Sequence, residues 1–72
     1  MARKLGTKQI DALISSIYYP NCSGIQIDIL DIPRVFAVGR AAYKGASNWT
    51  PDAQRTVMTT AIVDFVQTIR KN

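Results

Sequence analysis

Thr50-Pro51-Asp52-Ala53-Gln54-Arg55-Thr56-Val57-Met58-Thr59-Thr60-Ala61-Ile62-Val63-Asp64-Phe65-Val66-Gln67-Thr68-Ile69 decides the fold. The run opens with a hydroxyl residue that can cap a helix and a proline suited to the first turn. Next comes an acid that faces the positive end of the helix dipole. Val57, Met58, Ala61, Ile62, Phe65, Val66 and Ile69 then recur at helical spacing on one face, with Val63 outside it. That stripe spans close to half the helix circumference. It is broader than two short helices readily cover, so the rest of the chain is read for what it can lay against it.

Upstream, Ile10, Leu13, Ile14, Ile17 and Tyr18 fall at i, i+3, i+4, i+7 and i+8, which predicts a helix over Lys8–Tyr18. Thr7 is its expected cap. Pro20 is its expected stop, because the residue before a proline is pushed out of helical geometry. A second helix should follow Asp31-Ile32-Pro33, with Asp31 capping it and Pro33 in its first turn. Ile32, Val35, Phe36, Gly39, Ala42 and Tyr43 share its apolar face, and Gly45 suits a left-handed closing residue. Gly39 costs about 1 kcal/mol relative to alanine in a helix interior. Its place on the apolar face points to another backbone packed closely there.

Between these helices, Pro20-Asn21-Cys22-Ser23-Gly24 is a dense turn signal. Ile25-Gln26-Ile27-Asp28-Ile29 then alternates as a half-buried strand does. No second alternating run exists in the chain. The segment therefore either pairs with another molecule or is an extended or 3₁₀ stretch whose isoleucines plug the core. The expected fold class is mostly α: a small three-helix domain with a short extended or β segment between helices 1 and 2. One domain spans 1–72, with 1–6 as a flexible basic arm. Ile10, Leu13, Ile14, Ile17, Val35, Phe36, Met58, Ile62 and Phe65 are the expected core.

The 72 residues include no histidine, no glutamate and one cysteine. Proton transfer near pH 7 usually falls to histidine or a tuned carboxylate, and nucleophilic catalysis needs such a base beside the nucleophile. The sequence therefore argues against an enzyme. A lone thiol and no histidine exclude the usual zinc ligand sets, and Asp28 with Asp31 makes a poor calcium loop. No metal, cofactor or small-molecule ligand is expected, and Cys22 reads as an inert reduced thiol. Met1-Ala2-Arg3-Lys4-Leu5-Gly6 carries basic residues with no apolar core behind them, and no apolar run is long enough for a membrane span. The expected location is the cytoplasm, of a bacterium or of a phage-infected host.

Nine Lys/Arg against five Asp give a net charge of +4. Arg34, Arg40 and Lys44 project opposite the apolar stripe of the second helix, and no acid shares that side of it. With Arg3, Lys4 and Lys8 folded onto the same side, they would make a surface for phosphate or acidic protein groups. A solvated outer face is the other reading of the same trio. Between Arg34 and Arg55, Ala41 and Gly45 have the spacing of a helix-turn-helix. Pro51 would fall inside the recognition helix, so binding to DNA or RNA would use backbone phosphates rather than base edges. Trp49 precedes the Thr50 cap and either folds onto Ala53 or Gln54 as a staple or stands out as an anchor. Tyr19 points away from the buried stripe.

The leading functional expectation is a small, basic, non-enzymatic protein-binding module: a regulator, inhibitor or assembly factor, in keeping with phage- or plasmid-encoded accessory proteins. Tyr19, Trp49, Val63 and Val66 would contact another protein or a second copy in a homo-oligomer. The alternative is a nucleic-acid-binding protein that lays Arg34, Arg40 and Lys44 on the phosphate backbone.

Overall fold

Helix α1 spans Thr7–Cys22 and is longer at both ends than the periodicity predicts. The structure, a computed structural model, describes residues 6–71; Arg3, Lys4 and most of the expected basic arm lie outside the described residues. Gly6, not Thr7, is the cap residue, and its N–H donates to Gln9 Oε1 at 2.9 Å. Pro20 does not stop the helix. It sits exposed in the last turn, where the missing N–H removes one backbone bond on the solvent side. Asn21 Nδ2 donates to the Ile17 carbonyl at 2.7 Å and helps hold that turn. The turn persists because Cys22, one turn beyond the buried Tyr18, is itself buried in the core. The expectation that the turn already includes Pro20, Asn21 and Cys22 is corrected accordingly.

No strand forms among the described residues, and the alternating run does not become one. Residues 25–28 are irregular, and Ile29–Asp31 form a 3₁₀ turn. Ile25 and Ile27 pack against the core from one side. The alternation thus reflects a connection with one face on the helices, with no ladder required.

Helix α2 spans Ile32–Gly45 with Pro33 in its first turn. Asp31 precedes it, but its carboxylate makes no capping bond and lies 3.6 Å from Arg34 instead. Gly45 does not close the helix in a left-handed conformation; no described glycine has positive φ. Ala46 closes it, with its N–H shared between the Ala42 and Tyr43 carbonyls at 3.2 and 3.1 Å. Helix α3 spans Pro51–Ile69 and begins as its sequence dictates: Thr50 Oγ1 accepts from the Ala53 N–H at 3.2 Å.

The three helices run up, down and up. Arg40 on α2 meets Asp11 on α1, and Gly39 lies between Ile14 of α1 and Ile62 of α3. A Cβ built on Gly39 would stand 2.8 Å from Ile14 Cγ1 and 3.2 Å from Ile62 Cδ1, so the glycine lets all three helices meet there. Ile14, Ile17, Val35, Met58, Ile62 and Val66 have no exposed surface, while Ile10, Leu13, Phe36 and Phe65 form a half-buried shell around them. The stripe of α3 finds its cover: Met58, Ile62 and Val66 are sealed, and Val57, Phe65 and Ile69 pack at its edges. The extra turn of α1 and the isoleucines of the connection supply the area that shorter helices would have lacked.

Candidate interaction surface

The surplus apolar surface lies on the 3₁₀ turn, not on α3. Ile29 and Leu30 are 80% and 79% exposed, adjacent in sequence, and held on ordered backbone. Asp28 sets that order with three of its atoms. Oδ1 accepts from the Leu30 N–H at 3.0 Å, and the carbonyl accepts from the Asp31 N–H at 2.8 Å. Oδ2 faces Lys71 Nζ at 3.9 Å. Lys71 in turn donates its backbone N–H to the Gln26 carbonyl at 2.7 Å, which ties the end of α3 to the connection. Beside this latch, an open cleft of about 320 Å³ is lined by Gly24, Ile25, Gln26, Arg70 and Lys71.

The residues expected to contact a protein partner do not share one fate. Tyr19 is 61% exposed, with its ring edge-on to Tyr18 at 5.2 Å between centroids. Trp49 is 53% exposed at the α2–α3 connection. Entry into α3 is fixed there by Gln54, whose Nε2 donates to the Ala46 and Ser47 carbonyls at 3.0 and 3.3 Å. Val63 is half-buried and packs on the core. Val66 is fully buried and is no contact residue: it follows Met58 and Ile62 at four-residue spacing on the line of α3 that faces the other helices. Ile29 and Leu30 went unpredicted as contacts. The signal was present, since Leu30 breaks the alternation and puts two large aliphatics side by side before a proline-marked helix start.

The basic face is less free than its helix alone implied. Asp11 of α1 reaches across to Arg40, and both oxygens accept from the guanidinium fork at 2.8 Å. That bidentate bond holds the Asp11 carboxyl below its usual range and raises Arg40. Arg34 has Asp31 beside it. Lys8 and Lys44 are exposed and make no ion pair among the described residues; the antiparallel register puts them at the same end of the bundle. Of the four described cations, Arg34 stands at the opposite end of α2 from Lys44 and Lys8, so these do not come together as one surface. Burial pushes the Cys22 thiol up, away from the reactive thiolate.

No helix of the described residues is long and apolar enough to cross a membrane. No protein-family model, curated protein or solved structure matches the chain.

Proposed function

We propose that the chain is a non-enzymatic protein-binding module, acting by surface contact as a regulator, inhibitor or assembly factor. The observation that carries this reading is the pair Ile29 and Leu30, left in water on a turn that is hydrogen-bonded into place. Single exposed aliphatics are ordinary on protein surfaces. Two adjacent ones at this exposure, in a domain whose other isoleucines are buried or half-buried, mark a surface suited to another chain. Tyr19 is an exposed aromatic of the kind that dominates interface energetics, while Trp49 stands exposed beyond the other end of α2. The phosphate-backbone reading is the weaker of the two, because Asp11 already occupies the fork of Arg40.

Affinity purification of the tagged chain from its native cell lysate, with and without nuclease, separates the two. The protein reading requires a protein partner, or self-association, that survives nuclease and moderate salt. Retention lost on nuclease treatment, with DNA or RNA affinity that falls steeply as salt rises, transfers the function to the basic residues. A chain that stays monomeric at high micromolar concentration and retains neither class of partner overturns both.

A further inference from the structure

Resting on that reading, we infer that Ile29 and Leu30 are a pre-organised anchor for an apolar cleft with an acidic rim on a different protein. Three features of the turn carry this. Its two adjacent aliphatic side chains are almost wholly exposed. Asp28 fixes it through a side-chain bond, a backbone bond and an ion pair, so little backbone freedom is left to lose on docking. Its flanks are net positive: Arg34, Arg70 and Lys71 stand around it against Asp28 and Asp31, and both acids already face one of those cations.

A second copy fits this surface poorly. Two of the chain's surface hollows are an open cleft lined by Gly24, Ile25, Gln26, Arg70 and Lys71 and a groove along Asp52, Arg55, Thr56, Thr59 and Thr60. Both are lined mainly by polar and charged residues, a poor match for an exposed aliphatic pair. Tip-to-tip pairing would bring together one short turn from each chain, whereas a stable interface buries about 800 Å² and roughly 20–30 residues per partner. It would also set two positive flanks against each other. A cleft that encloses the turn reaches those flanks too, and acids at its rim meet the outward charge.

The test places a benzophenone photo-crosslinker at position 30 and, as a control, at Thr60 on the exposed side of α3. The protein captured through position 30 is purified and titrated with the wild-type chain and with variants. Ile29→Ala and Leu30→Ala each weaken binding about tenfold or more, with thermal unfolding unchanged because neither side chain is buried. Asp28→Ala, which keeps both aliphatics but removes the latch, weakens binding several-fold. Arg34→Ala reduces the salt dependence of the wild-type complex.

Binding within twofold of wild type for both Ile29→Ala and Leu30→Ala overturns the anchor while leaving a protein-binding module in place. So does a partner that crosslinks through position 60 and not 30. A crosslink at position 30 to a second copy overturns the choice of occupant. If no protein binds the wild-type chain at all, the anchor and the functional reading fall together.

Discussion

Ile62 and Ile29 carry the same side chain and end at opposite extremes, 0% and 80% exposed. Both belong to stretches whose apolar content exceeds what a short chain readily hides. The difference lies in periodicity. Ile62 sits at four-residue spacing with Met58 and Val66, so burying one turn of α3 lines up the next. Ile29 closes an alternating run with no strand to pair with, and Asp28 then turns the backbone, leaving Ile29 and Leu30 outside. Burial here follows from repetition that neighbouring helices can match, not from hydrophobicity alone.

The sharpest way to break that comparison is to truncate both residues. Ile62→Ala should cost about 3–4 kcal/mol, because it leaves a cavity among fully buried neighbours. A domain of this size has on the order of 4–11 kcal/mol in total, so the variant should be largely unfolded by modest urea. Ile29→Ala should stay within about 0.5 kcal/mol of wild type, as surface substitutions do. Equal losses in urea titrations of the two variants would mean that the turn is part of the core and no free surface exists there.

A second contrast, smaller in effect, uses two glycines of α2. Gly39→Ala gains about 1 kcal/mol of helix propensity but places a methyl 2.8 and 2.9 Å from Ile14 atoms. Ile14 is fully buried and cannot swing away, and overpacking costs about 1–3 kcal/mol. The net should be a loss of up to about 2 kcal/mol. At Gly45 an added Cβ meets nothing within 4 Å and φ is not positive, so Gly45→Ala should stabilise by about 0.5–1 kcal/mol. Opposite signs in thermal unfolding confirm the three-helix seam at Gly39; a gain at both positions refutes it.

The helix starts give the next pair. Thr50→Ala removes a side-chain cap and should cost about 1 kcal/mol. Asp31→Ala removes no capping bond and should cost less, since that carboxylate faces only an exposed arginine. Comparable losses in denaturant midpoints would show that Asp31 caps α2 in solution.

These contrasts also mark how far the residues alone carry the reading. Periodicity exposes the three helices, Thr50 announces α3, and Gly39 betrays close packing, because each signal is local and its physical cost is known. Pro20 misleads, since a proline in a last turn loses one solvent-side bond while Tyr18 and Cys22 bury the helix end. That balance depends on what lies across the core, which spacing along one helix cannot reveal. The candidate surface is less legible still. Tyr19 and Trp49 follow from helical faces and cap position, but Val66, on the apolar stripe in line with Met58 and Ile62, is offered by the sequence to a partner as readily as to the core. The exposure of Leu30 depends on a turn built by Asp28 with help from Lys71, a contact far along the chain.

Asp11 and Arg40 show the same limit and supply the smallest effect. A basic trio on α2 looked unopposed because its acid sits on another helix, 29 residues away. The bidentate bond favours the ionised carboxylate, so the folded-state pKa of Asp11 lies below its unfolded value. Folding is therefore helped above the unfolded pKa, and the help fades as pH falls through the ordinary carboxylate range toward the lower folded pKa. Wild type should lose stability on acidification over that window, and Asp11→Asn should lose less while being slightly less stable at neutral pH. The pair is solvent-exposed, so both differences should shrink in high salt. If thermal unfolding of wild type and Asp11→Asn runs parallel from pH 7 down to pH 3, the pair does not hold α1 to α2, and Arg40 is free for a partner after all.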